Sequence, residues 1–149
     1  MKKTRLKAKE VSKWLSKYNV AFSKKDICEL WVDDYEVLAV NNKPSFVKNK
    51  EEWIPTLQYL QTVIILKKVT VDMGAIKFVV NGADIMRPGI VAVEDFDQND
   101  VIVIVDETHG KAIAIGVALL SSEEMEKQVS GKSVKNIHYV GDDLWKFGR

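Results

Sequence analysis

The chain of 149 residues contains one cysteine, Cys28, and two histidines, His109 and His138. A lone thiol cannot close an intramolecular disulfide, and no CxxC pair is present to begin a metal site. Together these three side chains fall short of the ligand set of a tetrahedral Cys/His zinc centre. No apolar run approaches the roughly 18 residues of a transmembrane helix. The N-terminus is basic but lacks the apolar stretch of a secretory signal. Neither a GxxxxGKS/T phosphate loop nor a dinucleotide fingerprint occurs. These absences point to a soluble, cytoplasmic protein with no membrane partner, and no metal or cofactor is expected.

What is present supports a packed core. Hydrophobic residues make up 46% and charged residues 29%, close to globular averages, and the length suits one ordinary domain or two small ones. The net charge of +1 conceals an asymmetry. The first 25 residues hold nine lysines and arginines against Glu10 alone, a local +8, which leaves −7 on the remainder. A positive end of this kind can contact phosphates through counterion release. It can equally be the solvated face of a lysine-rich helix, and charge alone does not separate the two.

Ala8, Val11, Trp14, Leu15 and Tyr18 recur at helical spacing and predict an amphipathic helix over about residues 6–18. The period then changes. Ile27–Val32, Tyr35–Val40 and Ser45–Val47 read as short strands, separated by Asp33-Asp34 and by Asn41-Asn42-Lys43-Pro44, and so as an antiparallel meander. Glu51-Glu52-Trp53-Ile54-Pro55 reads as the acidic first turn of a helix running to about Gln61. All eight glycines lie after Lys67-Lys68. That shift predicts a domain boundary there and a second half built on tight turns, as in a small barrel. Ile90–Val93, Val101–Val105 and Ala112–Leu120 are its β-rich segments, and Ser121-Ser122-Glu123-Glu124 caps a short helix.

The run from Asp72-Met73-Gly74-Ala75 through Asn81-Gly82-Ala83-Asp84-Ile85-Met86-Arg87-Pro88-Gly89-Ile90 resembles the opening signature of PUA domains, small RNA-binding β-barrels. Asn99-Asp100 before Val101-Ile102-Val103, Lys111 to Gly116, Gly131 to Val134, and His138-Tyr139 with Asp143-Leu144-Trp145 resemble the later strands of that family in the right order. With Tyr35 to Asn41 and Pro55-Thr56-Leu57, the chain resembles the malignant T-cell-amplified sequence family and the related ligatin. This sequence is shorter at its N-terminus than the eukaryotic members, which points to an archaeal member. The resemblance implies an α+β protein: a small N-terminal α/β (pre-PUA) domain, residues 1–68, packed on a C-terminal PUA β-barrel, residues 69–149.

The resemblance also places the RNA-contacting surface on the first helix of the barrel domain and the loop after it. Asp72 can start that helix, with Ile76, Val79 and Val80 facing the core, and Asn81-Gly82 can stop it. The candidate RNA-binding residues are Gly74, Ala75, Lys77, Asn81, Gly82, Ala83, Met86, Arg87, Pro88 and Gly89. Gly82 and Ala83 would leave room for a close-lying phosphate or base. Lys77 and Arg87 could meet phosphates, and Arg87 could fork to a base. Met86 could pack on an unstacked base, although a core position is preferred for it. His138 lacks a nucleophile or carboxylate at a recognisable spacing and reads as a barrel residue. Asp142-Asp143 read as solvated turn acids, Trp145 as core on the last strand, and Trp14, Trp31 and Trp53 as packing for the first domain.

No residue set argues for catalysis. The expectation is a non-catalytic protein that binds tRNA, at its acceptor or CCA end, or the rRNA of the small ribosomal subunit, in translation initiation or recycling. A translation-factor protein partner accompanies that expectation, since the eukaryotic family pairs with the density-regulated protein. The alternatives are an accessory module that delivers tRNA or rRNA to a modification enzyme, and a protein-interaction module that has lost RNA binding.

Overall fold

A computed structural model describes residues 1–148, which form two compact units: residues 1–63 with Phe147 and Gly148, and residues 64–146. Among these residues no helix is long and apolar enough to cross a membrane.

The first unit is a five-stranded antiparallel meander with two short helices. Strand β1 (Lys2–Leu6) precedes helix α1 (Ala8–Trp14), and β2 (Cys28–Val32), β3 (Glu36–Val40), β4 (Lys43–Asn49) and β5 (Glu52–Pro55) follow in spatial order before α2 (Leu57–Leu60). Between β3 and β4 the chain reverses over Asn41 and Asn42, both at positive φ (52° and 66°), with Val40 opposite Lys43. That is the two-residue geometry whose twist matches the strands on either side, and asparagine tolerates it. Trp31, Phe46, Leu15 and Leu57 fill the core, each such side chain stabilising by about 1.5–3 kcal/mol relative to an exposed position.

Three expectations for this unit are corrected. Residues 2–6 form an edge strand paired with β2 rather than the start of a helix, so helix α1 runs only from Ala8 to Trp14 with a separate turn at Ser16–Tyr18. The sequence KKTRL carries no apolar alternation by which a strand could be recognised, and lysine is a common guard of exposed sheet edges. Residues 52–55 are likewise a strand, hydrogen-bonded to β4 from Phe46↔Pro55 to Asn49↔Glu52. Pro55 is tolerated there because β5 is an edge. Helix α2 starts only after Thr56, its N-cap, whose Oγ1 accepts from the Tyr59 N–H at 3.2 Å. Trp31 is core as expected, but Trp14 is 45% exposed and lies parallel to Trp53 with ring centroids 6.3 Å apart.

The second unit is a six-stranded sheet that nearly closes into a barrel, as the resemblance implies. Its elements are β6 (Lys68–Val71), α3 (Met73–Val79), β7 (Ile85–Met86), β8 (Ile90–Val93), β9 (Val101–Asp106), β10 (Ala112–Ala118), α4 (Ser122–Lys127), β11 (Lys132–Tyr139) and α5 (Asp143–Lys146). The spatial order is β7-β11-β10-β9-β6-β8, and only β6 and β9 run parallel. A parallel pair needs a crossover, and the chain between those two strands supplies it with α3, β7 and β8. Inside sit Val69, Val71, Ile102, Ile104, Ala114 and Val134, with Val79 of α3 and Met125 of α4 packed into the same cluster. Gly116 lies at a register shift between β10 and β11, where a Cβ would come 2.3 Å from Val134 Cγ1, so only glycine lets the strands meet. Helix α4 begins with the anticipated capping box between Ser121 and Glu124.

Two further corrections concern the C-terminal end. Trp145 lies on α5, after the last strand rather than on it. Asp142 is not a solvated turn acid. Its carboxylate accepts from the Tyr139 N–H (2.9 Å), the Trp145 N–H (2.8 Å) and Nδ1 of the buried His138 (2.8 Å). Burial pushes this carboxyl upward, but the His138 hydrogen bond and charge, with the two N–H groups, outweigh it and hold Asp142 below its ordinary range. A depressed carboxylate pKa stabilises the fold above the ordinary carboxylate value, and that contribution is lost as the pH falls through the folded value. Asp142→Ala should therefore cost about 2–4 kcal/mol at neutral pH, since three donors lose their acceptor. Denaturant titrations at pH 7 and at about pH 3 check this. The penalty should shrink at the lower pH; a loss below about 0.5 kcal/mol at pH 7 would contradict it.

Candidate nucleic-acid interface

The candidate residues fall on α3, the loop after it and the turn before β8. Asp72 starts the helix: its Oδ1 accepts from the Ala75 N–H at 2.9 Å while its own N–H donates to Gly89 O at 2.9 Å. The helix start is thereby fastened to the turn that carries Pro88 and Gly89. At the other end Ala83 N–H donates to Phe78 O and Gly82 N–H to Val79 O, each at 3.0 Å. This pair is a Schellman motif, which needs a left-handed residue at Gly82. Gly82 has φ +91°, and a Cβ there would lie 3.1 Å from the Tyr139 ring. Asn81 keeps negative φ and caps instead through its side chain, Nδ2 donating to Lys77 O at 2.8 Å.

Beyond the helix, β7 pairs with β11 so that Met86 stands opposite Lys132 and Ile85 opposite Val134. Asn136 of β11 holds the loop: its Nδ2 donates to Val79 O and Ala83 O, both at 3.0 Å, and its N–H donates to Asp84 Oδ1 at 2.9 Å. Lys132 Nζ meets Asp84 Oδ2 at 3.1 Å. The Asn136 N–H, followed by Lys132, holds the Asp84 carboxyl below its ordinary range against the opposing effect of burial.

Between α3 and this loop lies an open groove of about 660 Å³. Six of the ten candidates line it: Gly74, Ala75, Ala83, Met86, Pro88 and Gly89. Lys77, Asn81, Gly82 and Arg87 do not. Lys77 stands just outside with Nζ 5.1 Å from the Phe78 ring centroid. Arg87 turns inward, Nε donating to Met125 O (2.7 Å) and Nη1 to Ile90 O (3.0 Å), so its guanidinium fastens α4 to the start of β8. Met86 is not core, being 47% exposed on the groove.

The sequence reading left out Phe78, Asp84 and Lys132, which also line the groove. Phe78 is the most exposed aromatic there at 59%. Its signal was available, since it falls off the helical face set by Ile76, Val79 and Val80. Lys132 had none, because it lies far along the chain and reaches the groove only through the β7–β11 pairing. Phe78 and Met86 thus expose apolar surface in a lining that also holds Lys132 and the carboxylates Asp72 and Asp84, with Lys77 just outside. That combination can stack an unpaired base and hold its phosphates. Among the described residues no group of three or more His, Cys, Asp or Glu side chains could hold a metal ion.

Residues 67–140 match the PUA domain family, and residues 4–63 match the family described as Domain of unknown function (DUF1947). An uncharacterized protein of Methanocaldococcus jannaschii is 42% identical over 142 residues, 93% of this chain and 88% of that one. Translation machinery-associated protein 20 of Eremothecium gossypii is 34% identical, covering 77% of this chain and 68% of its own. Malignant T-cell-amplified sequence 1-B of Xenopus laevis is also 34% identical, with 91% and 77% covered. A hypothetical protein of Pyrococcus horikoshii superposes with a TM-score of 0.85 at 32% identity over 99% of this chain and 100% of that one. A structure described as an H/ACA RNP bound to a substrate RNA superposes with a TM-score of 0.52 at 25% identity, over 64% of this chain and 29% of that one.

Gly82 and Phe78 separate shape from surface. Gly82→Ala should cost about 1–3 kcal/mol through its positive φ and the Tyr139 contact. Phe78→Ser should change stability by less than about 0.5 kcal/mol, as exposed substitutions do. Thermal and denaturant melts of the two variants check the contrast, and equal losses would count against this division of roles.

Proposed function

The chain belongs to the PUA-domain family that includes malignant T-cell-amplified sequence 1 and translation machinery-associated protein 20, and we propose that it is a non-catalytic protein binding the single-stranded end of a structured RNA in translation. The PUA fold is an RNA-binding one, and one of the relatives is named for its association with the translation machinery. The finer reading is a tRNA acceptor stem with its CCA end, or an exposed end of rRNA in the small ribosomal subunit, during initiation or recycling. The observation that carries it is the groove, lined by exposed Phe78 and Met86 together with Lys132, with Lys77 just outside beside the Phe78 ring. Gly74, Ala75 and Gly89 keep its wall low, so that a sugar or phosphate can approach the backbone. The reading divides the chain at about Lys68, which the separate family matches at 4–63 and 67–140 support.

A non-catalytic role is supported by His138, which is 1% exposed, bonded to Asp142 and away from the groove lining. A second reading, an accessory that presents RNA to a modification enzyme, draws on the likeness to a subunit of a substrate-bound H/ACA RNP. Co-purification separates the two: ribosomal subunits favour the first, a modifying enzyme the second.

Fluorescence binding to tRNA with and without its CCA end, across a salt series, tests the reading. Intact tRNA should bind in a salt-dependent manner. Phe78→Ala should weaken it roughly tenfold, the scale of one stacked base, and should leave the trimmed tRNA almost unaffected. Binding no tighter than roughly millimolar, or independent of salt, would falsify it.

A further inference from the structure

The first unit carries a second concavity, lined by residues distinct from those of the groove. It is a cavity of about 910 Å³ between the end of β1, the start of α1 and residues 21–24. Arg5, Lys7, Lys9 and Lys24 all line it, over a floor that includes Leu6 and Phe22. All four cations are exposed, none makes an ion pair among the described residues, and no carboxylate lines the cavity. The acids adjacent in sequence or strand register are engaged elsewhere or lie outside the lining. Glu29 stands opposite Arg5 in the strand register, but its Oε1 accepts from Trp31 Nε1 at 3.3 Å. Asp26 accepts from the Ser23 N–H at 2.9 Å and from Asn41 Nδ2 at 3.0 Å. Glu10 follows Lys9 on α1 outside the lining.

The cavity walls are tied together without a ligand. Ser12 Oγ accepts from the Phe22 N–H at 2.9 Å, fastening α1 to the segment that presents Lys24. The Ser23–Asp26 turn then sets the direction of that segment. Four like charges around one concavity repel one another, and a polyanion that replaces their condensed small ions relieves the repulsion. A concavity of about 910 Å³ lined by four cations has room for several phosphates in a chain, which favours a polyanion over a free phosphate.

We propose that this basic cavity is a second RNA site, one that takes the phosphodiester backbone without reading bases. The proposal rests on the RNA-binding reading above and adds to it where the first 25 residues spend their charge. The groove would select an unpaired end, while the basic cavity would supply sequence-independent, salt-sensitive affinity. An acidic protein segment or an anionic membrane would meet the same cations, so both enter the test as competing outcomes.

The experiment measures Kd for intact tRNA against KCl concentration with the full chain, its K7E/K9E/K24E variant and its F78A variant. Each removed phosphate contact lowers the log–log salt slope by about 0.7–0.9. The triple variant should thus lose about 2–3 from the slope, with its largest affinity loss at low salt and convergence with the parent at high salt. K7Q/K9Q/K24Q should show the same loss of slope with a smaller loss of affinity, which excludes simple repulsion as the cause. F78A should weaken binding at every salt with the slope kept. A triple-variant slope within about 0.5 of the parent overturns the second site; if F78A still weakens binding, the groove reading stands alone. A parent protein that fails to bind tRNA removes both. Unchanged tRNA slopes, with loss of binding to vesicles containing anionic lipid or to a poly-glutamate peptide, would reassign the cavity to that ligand.

Discussion

Asn136 is the fastening on which the groove depends. Its amide donates to Val79 O and Ala83 O while its backbone N–H donates to Asp84. The carbonyls at a helix C-terminus and in the loop behind it lack partners within the helix, and β11 provides them from more than fifty residues away. Once the loop is held in this way, Asp84 is oriented toward Lys132, Met86 lies across from the same lysine, and Phe78 is left standing on the outer side of α3. The groove is therefore built by the barrel, although most of its wall comes from one continuous stretch of chain.

The same economy appears at the start of α3. Asp72 caps the helix and at the same time receives the Gly89 carbonyl on its N–H. Arg87 is drawn into this scaffold, with two of its nitrogens bound to the Met125 and Ile90 carbonyls. An arginine fixed at both ends loses the freedom that recognition of a base by its fork requires, and gains a part in holding α4 against the start of β8. Positive charge at the groove then comes from lysines, which act as point charges on phosphates rather than as planar forks. Such a surface suits recognition by shape, stacking and phosphate position.

In the proposed reading the two concavities would divide the physical work that single-strand binding needs. Stacking on exposed aromatic and apolar side chains is tolerant of sequence and little affected by salt, while unpaired lysines act over about a Debye length and weaken as salt rises. Phe78 and Met86 represent the first, and Arg5, Lys7, Lys9 and Lys24 the second. The edge strand β1 lets one short basic segment serve twice, since its exposed lysines guard the sheet edge and raise the local charge.

The sequence by itself determined the class of the fold, the meander, the barrel and the helix that opens the groove. These rest on local chemistry: turn pairs such as Asn41-Asn42, the cap at Asp72, the stop at Gly82 and the capping box at Ser121 and Glu124 act within a few residues of themselves. Where periodicity was weak or a local signal was double, tertiary pairing decided. Lys2–Leu6 and Glu52–Pro55 became strands because neighbouring strands offered their hydrogen bonds, and an acidic turn before a proline could not reveal that. Asp142 became a half-buried acceptor because His138, Tyr139 and Trp145 converge on it. Lys132 reached the groove, Arg87 left it and Met86 came to its surface for one reason: a side chain's neighbours across a barrel are set by strand register, which no window along the chain contains.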